Sequence, residues 1–380
     1  MTGGVEAILG AHARLLRKAG HDVRLVAGRG DCSLVPELDS RHPQVEKLTG
    51  ELAAGRFDEA TFERLETKLA RTLGPLLEDR DLVVAHNMLT MPFNLPAAAA
   101  LVAAGRPLLA WTHDLAWVNP RYKAFRRRGR PWSILHEPQS HTRYVAISRL
   151  RQGEICETLG LPRRAVPVVP NGIDEMGFLG VGLSARRLLR RAGLEHADPL
   201  VLVPLRITPR KRLELAVEAA AVLRARFPRA GLLVTGPLGP HSPENRAYAQ
   251  SLLELRASLR LDDVVAFCFE HAKDRHPVSD ADMAHLYRCA DVVLLPSESE
   301  GFGLPVLEGG LARAPVVCTE LDVLREVGGS AIWTFPARAG GAEIAATVAS
   351  ALRSRNARLR RRVRSEYTWT SVMKRIEQIL

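Results

Sequence analysis

Two α/β domains in tandem, each a doubly wound parallel sheet, are what the 380 residues predict. Short, nearly continuous Val/Leu-rich runs recur along the chain, as in parallel sheets covered on both faces. Helically spaced segments or longer connections separate them, which is the βαβ rhythm of a doubly wound domain. The rhythm restarts after Gly172, and the length also favours two domains.

In chain order, the segment Val5 to Ala19 places Val5, Ile8, Leu9, His12, Leu15, Leu16 and Ala19 on one helical face. Gly20 supplies the stop. "DVRLVAG" reads as a strand, residues 45–80 as mostly helical, and "DLVVAH", "PLLAWTH", "RYVAIS" and "VPVVPNG" as further strands. The second set of strands is "PLVLVPL", "GLLVTG", "DVVAFC", "DVVLLPS", "PVVC" and "AIWTF", with helices such as Leu213 to Arg226 and Asp280 to Cys289 between them. "PNGIDEMGF" loses the periodicity and carries turn residues, so the domains are expected over 1–172 and 173–365, with Asn171 and Gly172 as hinge candidates. The closing helix within 366–380, "YTWTSVMKRIEQIL", follows the completed second sheet and is expected to return to the first domain.

Composition narrows the class. Hydrophobic content of 46% excludes global disorder, and no apolar run approaches a membrane span. Cys32, Cys156, Cys268, Cys289 and Cys318 form no ligand spacing, so a reduced, cytoplasmic setting without structural zinc is expected. A net charge of +11 favours anionic partners. Its densest cluster is "RYKAFRRRGR", Arg121 to Arg130, and a second is "RSRNARLRRRVR". Solvated helix faces are the plain reading. The sharper one for Arg121–Arg130 is an anionic acceptor, or peripheral contact with the inner face of a membrane. Nucleic acid is not expected, because no aromatic interleaving or recognition motif accompanies the charge.

In open α/β sheets ligands bind beyond the carboxyl ends of the strands, so the chemistry should follow the strands. After "DVVLLPS" comes "ESEGFGLPVLEGG". Gly301 and Gly303 let the backbone bend and expose N–H groups, and Pro305 suits a first helical turn. The helix dipole favours an anion there. Glu308 lies one turn inside that helix and Glu300 on the loop before it. A phosphate between two hydroxyl-binding carboxylates describes a nucleotide-sugar; a capping carboxylate with a tight turn is the plainer alternative.

"PSESEGFGLPVLEGGLARAPVVCTELDVLREVGG" closely resembles the Glu-x7-Glu signature of retaining family-4 glycosyltransferases of the GT-B fold. The resemblance extends over nearly the whole chain. "GGVEAILGAHARLLRKAGHDV" is similar to their glycine loop, helix and second strand, and "VVPNGID" to their interdomain segment. "LRITPRKRLELAVEA" resembles their Arg-x4-Lys segment, and "VSDADMAHLYRCADVVLLPS" the stretch before the glutamates. The order and spacing of these matches make the resemblance specific.

The resemblance implies two Rossmann-like domains facing across a cleft, and hexose transfer from a nucleotide-diphosphate sugar, GDP-mannose or UDP-glucose in type, to a hydroxyl acceptor. It implies that Arg206 and Lys211 neutralise the diphosphate, a role two cations at a strand end suit physically. Glu308 would hold the ribose, Glu300 the donor sugar, and the backbone of Gly301, Phe302, Gly303 and Leu304 would lie against sugar and phosphates. Gly3 and Gly4 would approach the phosphate from the first domain. His113, at the end of "PLLAWTH", would lie near the reacting sugar. Asn87, Asp114, Trp117 and Tyr122 are acceptor-side candidates; Trp111 could line the same site, although core is the plainer reading for all three aromatics.

Asp280 to Asp282, "DAD", precedes a helix and reads as an N-cap at Asp280 rather than a metal site. His271 and His276 have no ligand spacing. No cofactor and no essential metal are expected. Alternatives that stay open are a sugar-nucleotide epimerase or phosphorylase of the same fold, and a non-catalytic anion- or nucleic-acid-binding protein. One oddity remains: Gly3 and Gly4 stand where a loop after a first strand is expected, and that strand is missing from the sequence. In a doubly wound sheet it would be central. The expectations are a start lying upstream, a truncation, or another segment filling the gap, the first being preferred.

Overall fold

The computed structural model describes residues 4–237, 243–271 and 278–380, and the chain divides into two units: Met1–Gly172 with Trp369–Leu380, and Ile173–Thr368. Among the described residues no helix is long and apolar enough to cross a membrane.

The first unit begins with α1 (Gly4–Lys18), whose first residue is Gly4; Gly3 lies outside the described residues. Then come β1 (Val26–Ala27), β2 (Ser33–Leu34), α2 (Pro43–Ala53), α3 (Glu59–Leu77), β3 (Val83–His86), α4 (Leu95–Ala103), β4 (Leu108–Thr112), β5 (Thr142–Ala146) and α5 (Arg149–Leu159). The strands β3, β4 and β5 pair in parallel in that order. Alternation sorts their side chains to two faces. Leu108, Ala110, Tyr144 and Ala146 join the cluster built by α3 and α4, including Phe62, Leu69 and Leu73. Leu109, Trp111 and Val145 join a second cluster.

Two strand expectations fail here. "VPVVPNG" forms only one isolated bridge, Ala146 to Val168, because prolines at 167 and 170 interrupt any ladder. "DVRLVAG" contributes only Val26–Ala27, paired in parallel with β2 and not with β3. The sheet of this unit is therefore interrupted between β1 and β3.

The second unit holds α6 (Glu175–Phe178), α7 (Leu183–Arg191), β6 (Leu200–Val203), α8 (Leu213–Arg226), β7 (Gly231–Val234), α9 (Pro243–Ser258), β8 (Val265–Phe267) and α10 (Cys268–His271). It continues with α11 (Asp280–Cys289), β9 (Val292–Leu295), α12 (Leu304–Leu311), β10 (Val316–Thr319), α13 (Asp322–Gly328), β11 (Trp333–Phe335), α14 (Gly341–Ala351) and α15 (Arg355–Glu366). Its six strands are all parallel, in the order β11-β10-β9-β6-β7-β8. This is the doubly wound order, with its switch point between β6 and β9. Every residue of β6, β7, β9 and β10 is buried, as a sheet covered on both faces requires.

The last helix, α16 (Trp369–Glu377), belongs to the first unit: Val372, Met373 and Ile376 pack with Leu109, Trp111 and Val145. A Cβ on Gly172 would stand 2.4 Å from the Trp369 ring, so only glycine lets the chain pass there.

The arginine run of α15 is not simply a solvated face. Arg364 is buried and bonds Asp291 at 2.5 Å and Glu175 at 3.0 Å. Arg361 bonds Asp198 at 2.9 Å, and Asp291 also accepts from the amide of Leu200 at 2.8 Å. This network clips α15 to the starts of β6 and β9. In the linear sequence the arginines read as surface because their acidic partners lie 70 to 190 residues away.

Candidate active site

At the switch point the loops after β6 and β9 come together. The first leaves Val203 and runs through Leu205, Arg206 and a short turn, Pro209–Lys211. It is held against the end of β7 by Gly236: a Cβ there would meet the carbonyl oxygen of Leu205 at 1.9 Å. Across the switch, the amide of Glu298 donates to the Arg210 carbonyl at 2.9 Å, and the Arg210 guanidinium donates to the Ser299 carbonyl at 3.1 Å. The two loops are thus sewn to each other by one backbone bond and one side-chain bond.

Inside this seam Lys211 is buried, and its Nζ lies 2.6 Å from Glu300 Oε1. The hydroxyl of Ser297 donates to the same oxygen at 2.6 Å. Both bonds fall on Oε1, and Oε2 makes no hydrogen bond among the described residues. Arg206 is exposed and forms no ion pair among the described residues. So the two predicted cations differ. Lys211 is a fixed, desolvated charge, and Arg206 a free one on the same loop.

Gly303 follows with φ at +99°, a left-handed conformation that favours glycine. It starts α12 without a side-chain cap, and Pro305 occupies the first turn. The first-turn amides of a helix have no partner within it, so this end presents donors and positive potential. Phe302 and Leu304 flank it and are exposed. Gly301 has no contact that a side chain would disturb. One turn in, Glu308 is exposed, and its Oε2 accepts a hydrogen bond from the buried Tyr287 hydroxyl. Burial, then the hydrogen bond to Glu308, raises the Tyr287 pKa, which keeps it a donor.

In the first unit His113 sits directly after β4 and is buried. Its Nε2 lies 3.0 Å from His86 Nδ1. The amides of His113 and Asp114 donate to the Asn87 side-chain oxygen at 2.7 and 3.0 Å. Asn87 itself takes φ of +55°, which Asn tolerates better than most residues. Arg151 donates to the His113 carbonyl at 3.1 Å and to Asp114 Oδ1 at 2.8 Å. Asn87, His113 and Asp114 therefore form one group, with Asn87 fastening the loop. Trp117 and Tyr122 do not join it. The Trp117 ring packs on His136 at 4.0 Å, and Tyr122 meets Phe93 edge-on. Trp111 is core, as expected.

The family models match both halves. "Glycosyltransferase Family 4" covers residues 2–175 and "Glycosyl transferases group 1" covers 186–366. The chain is a group 1, family-4 glycosyltransferase. Among its relatives, the D-inositol 3-phosphate glycosyltransferase of Frankia alni is 28% identical over 336 residues, 85% of this chain and 79% of the relative. The mannosylfructose-phosphate synthase of Agrobacterium fabrum is 31% identical over 178 residues, 46% of this chain and 37% of the relative. Among solved structures, Anabaena Alr3699/HepE in complex with UDP-glucose is 19% identical, with a TM-score of 0.38 and coverage of 83% of this chain and 81% of that one.

Several residues of the transferase escaped the sequence reading. Ser297 and Tyr287 orient the two glutamates, and Arg151 and His86 flank His113. Ser297 was findable, standing at a strand end three residues before Glu300; the others are brought in from elsewhere in the chain. One expectation needs correction. The cap of α11 is Ser279, whose hydroxyl accepts from the Asp282 amide at 3.1 Å, so Asp280 is the first helical residue and not the cap. Of the two loop histidines, His276 lies outside the described residues, and His271 ends α10. Within Arg121–Arg130, Arg130 is paired with Glu66 at 2.5 Å, whereas Arg121, Lys123, Arg126 and Arg128 are exposed without an ion pair among the described residues.

Replacing Tyr287 by Phe is expected to raise the donor KM about five- to tenfold with kcat little changed. It removes one charge-assisted bond, worth about 1.5 kcal/mol, that fixes Glu308. A KM measured on a nucleotide-sugar donor within twofold of wild type would leave Tyr287 a packing residue only.

The histidines also make stability depend on pH. Burial, then the neighbouring His113, push His12 down to about 4 from an ordinary 6.5. His86 and His113 shift the same way, chiefly through burial. The unfolded chain takes up a proton near 6.5 that the fold refuses until about pH 4. The contribution is therefore complete above 6.5 and lost as pH falls towards 4. For His12 it amounts to about 3 kcal/mol. Urea unfolding at about pH 7.5 and about pH 4 should show a loss larger by that amount in wild type than in His12→Leu. Equal losses would show that His12 is not shifted.

Proposed function

We propose that the protein transfers a hexose from a nucleotide-diphosphate sugar, of GDP-mannose or UDP-glucose type, to a hydroxyl of a phosphorylated acceptor, with retention of anomeric configuration. The observation that carries this reading is the buried Lys211–Glu300 pair at the switch point of the second sheet, beside the uncapped start of α12. A cation held there in low dielectric is worth most to a diphosphate whose charge grows as the sugar leaves. Arg206 adds a second cation, the open Oε2 of Glu300 can accept from a sugar hydroxyl, and Glu308 from the ribose. In this reading the departing phosphate helps deprotonate the acceptor in a front-face displacement, and His113, whose pKa burial lowers, is the catalytic candidate of the first unit. No metal step is invoked, since Lys211 and Arg206 supply the charge.

A phosphorylated acceptor fits two further observations. Arg121, Lys123, Arg126 and Arg128 leave an uncompensated positive field on the first unit. The relatives in Frankia and Agrobacterium are named for phosphorylated compounds.

The test is a thermal-shift screen against UDP, GDP, ADP and their hexose conjugates, followed by product analysis with sugar phosphates, with and without a chelator. One base should stabilise the protein, and sugar transfer should need an acceptor and survive chelation. Turnover of the donor without any acceptor would indicate an epimerase instead. Absence of any nucleotide shift would overturn the reading.

A further inference from the structure

His113 is held at every polar group but one. Its amide donates to the Asn87 side chain at 2.7 Å, and its carbonyl accepts from Arg151 at 3.1 Å. Both fastenings are themselves fixed. Asn87 also accepts from the Asp114 amide at 3.0 Å, and Arg151 is paired with Asp114 at 2.8 Å and Glu154 at 2.5 Å. The ring is tied separately. Its Nε2 lies 3.0 Å from Nδ1 of His86, the last residue of β3. The sheet sets this meeting. His86 stands directly opposite Trp111 in the β3–β4 register, so the two side chains share a face, and alternation returns His113 to that face two residues later. The His86 ring is braced in turn by the buried Trp111 ring, with centroids 5.7 Å and planes 16° apart. Only Nδ1 of His113 makes no hydrogen bond among the described residues.

We infer that His86 is a positioning residue of the transferase: by binding Nε2 it fixes the ring and the tautomer of His113 and leaves Nδ1 as the atom offered to substrate. The inference rests on His113 being the catalytic candidate of the first unit. Burial lowers the pKa of both rings, so near neutral pH each carries one proton and the contact is N–H···N. One ring then decides where the other keeps its proton. If Nε2 of His113 accepts, its proton stays on Nδ1; if Nε2 donates, Nδ1 is bare. A ring tied only through its backbone turns about its side-chain torsions and exchanges tautomers, so part of the population presents the wrong nitrogen.

Two pairs of variants test this, because asparagine sets its terminal amide where Nδ1 stands and glutamine where Nε2 stands. At position 86 the bonded atom is Nδ1. His86→Leu is therefore expected to lower kcat about tenfold with KM within about twofold, and His86→Asn to restore most of the loss. At position 113 the offered atom is Nδ1, so His113→Asn should keep at least about fivefold more transfer than His113→Gln. The assays use UDP-glucose or GDP-mannose, whichever the full chain turns over with a sugar phosphate. Nitrogen NMR of the labelled rings gives a readout without turnover: His113 should show one tautomer in the wild type and averaged signals in His86→Leu. Unchanged tautomer signals in His86→Leu, or His113→Gln equal to or better than His113→Asn, overturn the inference and leave His113 catalytic. Wild-type transfer by His113→Ala overturns the catalytic reading of His113 itself, and the inference with it.

Discussion

Lys211→Ala is expected to lower kcat/KM by about 10²- to 10³-fold, the cost of deleting one preorganised charge from a desolvated site. The structure makes the effect double-edged. Lys211 Nζ is bonded to Glu300 Oε1, and both side chains are about nine-tenths buried. Removing the lysine therefore takes away a cation and also strands a buried carboxylate, which by itself destabilises by about 3–5 kcal/mol. Denaturant unfolding separates these consequences from each other. Glu300→Gln in the Lys211→Ala background should recover much of the stability and none of the transfer. Steady-state kinetics with the donor identified by the thermal screen give the decisive number. Transfer within threefold of wild type would remove Lys211 from the mechanism.

Asp291→Ala should cost about 3–5 kcal/mol of unfolding free energy in the second unit. Asp291 is almost fully buried and serves three elements. It accepts from the Leu200 amide at the start of β6 and bonds Arg364 of α15, while its own amide donates to the Leu200 carbonyl at 2.9 Å. Without its carboxylate, Arg364 loses the acid it bonds at 2.5 Å, and the first amide of β6 loses its acceptor. Asp291→Asn keeps an acceptor for Leu200 and should be milder. A loss below about 1 kcal/mol for Asp291→Ala, measured by urea unfolding followed in the second unit, would mean that the network relaxes onto solvent.

Most of the second unit was legible because its signals are local. Continuous apolar runs give the five buried strands β6 to β10, and Pro305 after Gly303 gives the start of α12. The first unit was less legible for a physical reason. "DVRLVAG" has strand composition, but which neighbour it pairs with is set by tertiary placement, and only Val26–Ala27 pairs, with β2. The prolines of "VPVVPNG" remove ladder donors, which leaves the segment one bridge. The arginines of α15 were misread because charge in a linear string says nothing of the acid it will meet.

The sequence by itself determined the βαβ rhythm, the family, and which residue types stand at strand ends. Those follow from periodicity and spacing along one chain. Only the tertiary structure decided how these residues act. It made Lys211 a buried partner of Glu300 and left Arg206 free, and it recruited Ser297 and Tyr287 to orient the two glutamates. Strand order and burial set the local dielectric and the available partners, and neither is written in the spacing of residues along the chain.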